Sequence, residues 1–180
     1  MAHQGDPTLT EHEGMLLALV VRRQPLTAYQ LYKLFEQSPV SSINASKGQL
    51  YPAIRRLKEK GLLKASRISG DGRNSEELSV TAAGKSAVRS WTKAISPAHV
   101  VLDDPLRTRV LSFETLTREE QLEWIARAKE LIKERREEVE AYNSSVTVPF
   151  QQFVYRSAVE VLRVRMEWLD ELLYFVAKSS

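Results

Sequence analysis

The stretch that decides the fold runs from Ser46 to Gly84 and reads SKGQLYPAIRRLKEKGLLKASRISGDGRNSEELSVTAAG. Leu50, Ile54 and Leu57 follow one another at spacings of four and three, which places them on one face of a helix. Gly61 stands where a glycine commonly ends such a helix. The first half of the stretch therefore predicts an amphipathic helix with a defined C-terminal end.

The second half of the stretch has the pattern of a β-hairpin. Two short alternating runs, 64–69 and 76–81, are joined by the glycine-bearing segment 70–74. Alternation on both sides of a glycine-containing turn is typical of two antiparallel strands. We expect a helix followed by a small wing.

Helix starts are marked by a hydroxyl residue followed three positions later by Glu or Gln, the capping-box pattern. It occurs at Thr10, Thr27 and Ser46 and, in the second half of the chain, at Thr117, and Thr81 is a further N-cap for a helix to about Ile95. Three helices, a hairpin and a fourth helix predict a winged helix-turn-helix over residues 1–95.

Positive charge is concentrated in this first domain. The chain carries a net charge of +3, but residues 1–95 hold 14 basic and 8 acidic residues, whereas 96–180 hold 12 basic and 15 acidic ones. Between Lys47 and Arg67 there are seven basic residues and one acidic residue. Such a surface suits the phosphates of double-stranded DNA.

In helix-turn-helix docking, the N-terminal part of the recognition helix reaches the base edges. The DNA-binding candidates on the predicted helix are Ser46, Lys47, Gln49, Tyr51, Pro52, Arg55, Arg56 and Lys58, and those on the wing are Lys64, Arg67 and Arg73. Gln49 suits adenine and Arg55 suits guanine. Two alternatives stay open, since Tyr51 also fits a packed ring and Arg56 and Lys58 also fit a solvated face. Glu76 and Glu77 make the second wing strand an unfavourable site for phosphate.

These motifs resemble the PadR family of bacterial transcriptional regulators. The resemblance spans about 14–90 and rests on Leu26-Thr27-Ala28-Tyr29-Gln30-Leu31, Gly48-Gln49-Leu50-Tyr51-Pro52-Ala53-Ile54, Gly61-Leu62-Leu63 and Val80-Thr81-Ala82-Ala83-Gly84. Ala28 stands where the family usually has glycine, which a helix tolerates. The resemblance implies a homodimeric, signal-responsive regulator that we expect to be a repressor. It also implies that the C-terminal helices, and often the first helix, form the dimer interface.

Residues 96–180 predict an α-helical domain for dimerisation and effector binding. A short helix is expected over 103–113, a longer one from Thr117 towards Val146, and a last one after Pro149. Apolar residues recur every seven positions in the longer helix, at Ile125, Ile132, Val139 and Val146. The fold class is therefore mainly α with a small β wing.

The last helix carries two adjacent apolar stripes, which together form a face too wide for one neighbouring helix. We expect the 117–146 helix to cover one stripe and a second subunit to cover the other. The stripe assigned to dimerisation is Tyr155, Val159, Leu162, Met166, Leu169, Leu173 and Val176. The adjacent stripe is Val154, Ala158, Val161, Arg165, Trp168, Leu172 and Phe175. A self-contained helical monomer is the alternative.

The signal is the least defined part of the prediction. Trp91, Trp124, Tyr142 and Trp168 are candidates for a small aromatic effector, although helical aromatic residues also serve as core. Ser90 and Lys93 fit a Ser-x-x-Lys pattern without its companion motifs, and the three histidines show no metal spacing. Together with the lack of cysteine and of a signal peptide, this predicts a cytoplasmic protein that is not an enzyme and needs no cofactor, metal or membrane. The alternative function is a winged-helix adaptor that binds another protein, which Glu76 and Glu77 would favour.

Overall fold

The computed structural model of the protein describes residues 8–39, 47–68 and 76–178. The chain divides between His99 and Val100 into two compact units, called here the N-terminal and C-terminal units. The N-terminal unit contains α1 (Glu11–Arg23), β1 (Leu26–Thr27), α2 (Ala28–Glu36), α3 (Lys47–Glu59), β2 (Leu63–Arg67), β3 (Glu76–Val80) and α4 (Ala82–Lys93). The C-terminal unit contains α5 (Pro105–Val110), α6 (Arg118–Ser145) and α7 (Gln151–Lys178). Two short 3-10 turns lie at Pro97–Val100 and Phe113–Thr115.

Local capping chemistry sets most helix starts. Capping boxes are confirmed at Thr10, Thr27 and Thr117, where the hydroxyl accepts from the backbone N–H three residues later and the Glu or Gln side chain accepts in return. Thr81 caps α4 by accepting from the Gly84 N–H at 3.0 Å. The predicted cap at Ser46 lies outside the described residues.

The wing belongs to a three-stranded antiparallel sheet with strand order β1-β3-β2. In the predicted hairpin, Leu63 lies opposite Val80 and Arg67 opposite Glu76. The additional strand β1 pairs with β3 and was not predicted, because two residues are too few to show an alternating pattern. Gly61 has φ +68°, a left-handed conformation that lets the chain turn sharply from α3 into β2.

The core of the N-terminal unit lies where α1, α2 and α3 meet the sheet. Leu50, Ile54 and Leu57 are all buried, as the spacing predicts. Trp91 of α4 packs on α1 at Gly14, so that a Cβ added there would lie 2.2 Å from the indole Cε2. The buried stripe of α3 therefore fixes which side of this helix faces outward.

The C-terminal unit is built on an antiparallel pair of long helices, α6 and α7. Arg118 at the start of α6 donates to the carbonyl of Ala177 near the end of α7, and Gln151 Nε2 donates to the carbonyl of Asn143 at 2.7 Å at the opposite end. The side chains buried along this pair are Ile125, Ile132 and Val139 of α6 and Leu162, Leu169 and Val176 of α7. The seven-residue repeat of α6 is thus confirmed for its first three members, while Val146 is half-buried at the C-cap.

The helix expected over 103–113 is shorter than predicted. Asp104 caps α5 by accepting from the Leu106 N–H at 3.0 Å, and the helix ends at Val110. The chain then tightens into the second 3-10 turn, whose Phe113 packs edge-on against Trp124 with ring centroids 5.0 Å apart. Within the described part of the chain, none of the helices combines the length and apolar character needed to cross a bilayer.

Candidate nucleic-acid interface

The solvent face of α3 presents polar and aromatic side chains opposite its buried stripe. Gln49, Pro52 and Arg55 are exposed, and the Tyr51 side chain is 46% exposed. Pro52 lies inside α3 without interrupting it, although it cannot donate to the carbonyl of Gly48. The side chains on α3 that the sequence predicts as base contacts are therefore exposed to solvent.

Arg55 is the cation on this face of α3. Its side chain is 81% exposed, and its Nε donates to Glu59 Oε1 at 2.8 Å across one helical turn. The hydrogen bond to Glu59 raises the pKa of Arg55 above its ordinary value. Because water screens an exposed pair of this kind, a nucleic-acid acceptor can replace Glu59 at little cost.

Arg56, the next residue along α3, has a partner inside the protein. Its Nε donates to Glu13 Oε1 at 3.0 Å, and Lys60 Nζ donates to Glu13 Oε2 at 2.9 Å. Burial is the largest influence on Glu13 and raises its pKa, but the hydrogen bonds from Lys60, Arg56 and Thr10 together hold it below the ordinary value. The structure thus gives Arg56, a predicted DNA contact, an internal role in joining α3 to α1.

Sequence reasoning missed Glu13 as a functional residue. One feature of the sequence could have indicated its burial: Glu13 lies three residues before Leu16 and four before Leu17, which places a carboxylate on the apolar side of α1. Its partners lie 43 and 47 positions away along the chain, which no local pattern reveals.

The basic residues of the first wing strand do not share one surface. Lys64 and Arg67 are both exposed, but they are three positions apart on β2 and therefore project from opposite faces of the sheet. Arg67 lies opposite Glu76, which also accepts from Lys58 Nζ at 3.0 Å. Two further predicted candidates, Ser46 and Arg73, lie outside the described residues, as does the side chain of Lys47.

A histidine lies beside the joint between α1 and α3. The buried Nε2 of His12 has no hydrogen-bond partner, and the ring meets Phe35 of α2 edge-on at 6.4 Å. Burial, and secondarily the charge of Arg56, lowers the pKa of His12 below its ordinary value. Both influences favour the neutral form of the ring. No group of three or more His, Cys, Asp or Glu that could hold a metal occurs among the described residues.

The stripe assigned to dimerisation packs largely against α6 within one chain, so its role in dimerisation stays a prediction. Its members Tyr155, Val159, Leu162, Met166, Leu169, Leu173 and Val176 are all buried or half-buried. The physical reason is the antiparallel packing of α6, whose buried heptad residues lie along this side of α7. The adjacent stripe, called here the open stripe, is covered only in part: Val154, Val161 and Phe175 are 54%, 50% and 68% exposed, whereas Ala158, Arg165, Trp168 and Leu172 are half-buried.

The four aromatic residues proposed for an effector are not gathered into one pocket. Trp91 belongs to the N-terminal unit, where its Nε1 donates to Glu11 Oε1 at 3.3 Å. Trp124 packs on Phe113, whereas Tyr142 lies 18 residues further along α6, a distance of about 27 Å in a helix. Trp168 is half-buried on α7. Trp124 and Tyr142 therefore cannot contact the same small molecule within one chain.

Comparison with known proteins supports the same interpretation of the fold. Residues 16–90 match the family model described as the transcriptional regulator PadR-like family. Bacillus subtilis PadR solved in complex with operator DNA is similar in structure, with a TM-score of 0.79 and 17% identity over 93% of this chain and 99% of that chain. A PadR-like transcriptional regulator from Bacillus cereus has a TM-score of 0.75 and 16% identity over 96% and 99%. Bacillus subtilis PadR in complex with p-coumaric acid has a TM-score of 0.74 and 17% identity over 92% and 98%. No curated protein sequence matches the chain.

Proposed function

We propose that the protein binds an operator as a homodimer and represses transcription until a signal releases it, because residues 16–90 match the model of the PadR-like family of transcriptional regulators. The observation that carries this proposal is the outward face of α3, where Gln49, Tyr51 and Arg55 are exposed opposite a fully packed stripe. The structural similarity to a protein solved with operator DNA supports it. A regulator of this kind acts in the cytoplasm, where its DNA is.

Recognition divides between the helix and the wing. Gln49 pairs with adenine and Arg55 with guanine in the major groove, since each side chain can make two hydrogen bonds to that base. Lys58 and Lys64 supply positive charge for phosphates and position the helix without reading sequence. Ser46, Lys47 and Arg73 are included in the proposed contact set on the strength of their place in the sequence.

The open stripe of α7 is the proposed dimer surface. Its exposed apolar members are Val154, Val161 and Phe175, and Phe153 and Val164 extend it with 62% and 53% exposure. A two-fold dimer through this face places two copies of α3 on the half-sites of a pseudo-palindrome. In the proposed dimer, the stripe therefore sets the distance between the two copies of α3.

The proposed signal is a small aromatic compound. The support is the Bacillus subtilis protein solved with p-coumaric acid, which is similar in fold to this chain. Within the C-terminal unit, Trp124 and Trp168 are the candidate contacts, because Tyr142 lies too far along α6 to join Trp124.

Fluorescence anisotropy with a labelled duplex from the region upstream of the gene tests the proposal. Arg55→Ala is expected to weaken binding about tenfold and to relax the preference at one base position. Arg136→Ala is the matched control, because Arg136 forms the same kind of pair with Glu140 across one turn of α6, at 2.9 Å. Binding that responds neither to salt nor to Arg55→Ala would contradict the proposal, and the lack of any DNA binding would favour a protein-interaction adaptor.

A further inference from the structure

One buried carboxylate ties α3 to α1. Among the residues that the structure describes, Glu13 is the only buried charged residue, and it is 1% exposed. Both of its oxygens are used, Oε1 by Arg56 at 3.0 Å and Oε2 by Lys60 at 2.9 Å. Its Oε2 also accepts from the Thr10 N–H at 3.3 Å, which anchors the carboxylate to the first turn of α1. The Glu13 carboxylate is thus held by α3, through Arg56 and Lys60, and by the Thr10 N–H at the start of α1.

The two cations lie one turn apart on the C-terminal part of α3. Lys60 follows the last helical residue, and its N–H still donates to the carbonyl of Arg56 at 2.8 Å. Two anchors on one side of a helix define its rotation about its own axis. Apolar packing through the buried stripe defines this rotation less sharply, because it is not directional, whereas charge-assisted hydrogen bonds are short and directional.

The rotation of α3 decides where its outer side chains lie. Gln49 and Arg55 project from the same helix that Glu13 holds through Arg56 and Lys60. A rotation of about 20° moves an atom about 6 Å from the helix axis by about 2 Å. Bidentate base contacts need placement to within about 0.5 Å. An error of this size would therefore remove base discrimination and leave phosphate contact intact.

We propose that Glu13 is a positioning residue for operator recognition, which acts by setting the rotation of α3 through Arg56 and Lys60. The inference rests on the proposed function of α3 as the recognition helix. Glu13 touches no base or phosphate. Its effect is on the ratio of operator affinity to random-DNA affinity, rather than on affinity for DNA in general.

The test compares Glu13→Gln with Glu11→Gln in the full-length protein. Gln keeps the capping box of α1 but removes the charge that holds the two cations. Glu11→Gln makes the same change in net charge on the same helix, at a residue that accepts a hydrogen bond from the indole Nε1 of Trp91 in α4. Dissociation constants for an operator duplex and a random duplex of equal length are measured by anisotropy, well below the unfolding midpoint of each variant.

We expect Glu13→Gln to lower the operator preference about tenfold, as a mismatched base pair does, while random-duplex binding is retained. Glu11→Gln should keep the wild-type ratio. A folded Glu13→Gln protein with the wild-type ratio would overturn the inference. If the wild-type protein itself shows no preference for the operator, the proposed function is wrong. If the wild-type protein prefers the operator and the Glu13→Gln variant keeps that preference, only the role of Glu13 is wrong.

Two further measurements keep the test decisive. Lys60→Gln leaves Arg56 to neutralise Glu13, so this variant is expected to fold. Its operator preference should fall about threefold. A Lys60→Gln protein with the wild-type ratio of operator to random-duplex affinity would also overturn the inference. A double-mutant cycle combines Glu13→Gln with Arg56→Gln. Their effects on the ratio should be strongly non-additive if Arg56 acts through Glu13, whereas additive effects would show an independent role for Arg56.

Discussion

Lys58 Nζ lies 3.0 Å from Oε2 of Glu76, an ion pair that links α3 to the second wing strand. Glu76 also lies directly opposite Arg67 in the β2–β3 register. One carboxylate therefore pairs with Lys58, a cation of the proposed DNA surface, and lies opposite Arg67. Because phosphates would compete with Glu76 for Lys58, we expect Glu76 to lower the affinity of the proposed surface for DNA.

Replacing Glu76 with Gln is expected to tighten binding to operator and random duplex alike. The variant frees Lys58 for a phosphate, so the slope of log affinity against log salt should steepen by about one unit. Anisotropy titrations over a range of salt concentrations measure this. Glu123→Gln, an exposed and charge-matched change on α6, is the control. Equal slopes for the two variants would show that Lys58 makes no phosphate contact.

The half-buried His12, whose Nε2 has no hydrogen-bond partner, should make the stability of the protein depend on pH. Its pKa in the folded protein is lowered from the ordinary 6.5, first by burial and then by Arg56. The unfolded chain therefore takes up a proton at higher pH than the folded protein. The free energy of unfolding should fall as the pH drops below about 6.5, and the fall should end below the folded pKa. Glu13 adds a second loss at lower pH, since its pKa is lowered from 4.5.

Urea unfolding at a series of pH values checks the His12 contribution. His12→Leu should flatten the dependence between about pH 5 and 7, because it removes both the titrating ring and the unpartnered Nε2. His99→Gln, a change at a surface histidine that is 37% exposed, should leave the His12 contribution in place. A His12→Leu protein with the wild-type slope would assign that slope to another group.

The sequence predicts what local chemistry determines. Capping boxes at Thr10, Thr27 and Thr117 act within one turn, so each helix start could be predicted from four residues. Contacts formed between distant segments could not be predicted in this way. β1 is two residues long, and Glu13 meets Arg56 and Lys60 only after the chain has folded. The choice between the two stripes of α7 likewise depends on where α6 packs, because both stripes have the same spacing.

Close packing at two glycines predicts a ranking of stability losses. A Cβ at Gly84 would lie 2.2 Å from the carbonyl oxygen of Leu62, and a Cβ at Gly14 would lie 2.2 Å from the Trp91 ring. The half-buried indole can be displaced at a cost of about 1–3 kcal/mol, whereas backbone cannot move without disturbing the turn before β2. Gly84→Ala should therefore have a lower thermal unfolding midpoint than Gly14→Ala. Gly61→Ala has open space and should lose only about 1 kcal/mol, from its left-handed backbone. The reverse order would mean that the turn yields more easily than the Trp91 contact.

The open stripe of α7 is tested by placing a charge in its centre. Val161 is 50% exposed, so Val161→Asp should leave the fold intact and convert the proposed dimer to a monomer. Sedimentation equilibrium measures the change. Leu111→Asp, at a residue that is 76% exposed outside α7, is the control for an apolar-to-acidic change. A Val161→Asp protein that stays dimeric would exclude this stripe as the interface.

Leu169 provides the opposite test on the same helix, because it belongs to the stripe that α6 covers. It is fully buried in a single chain, so Leu169→Ala should lower the free energy of unfolding by about 2–5 kcal/mol. The association constant of the folded protein should change little, since this side chain already has its partners. Chemical unfolding at several protein concentrations separates the two quantities. If Leu169→Ala weakened association while leaving monomer stability unchanged, the covered stripe would be the dimer interface after all, and α6 would have to leave it on assembly.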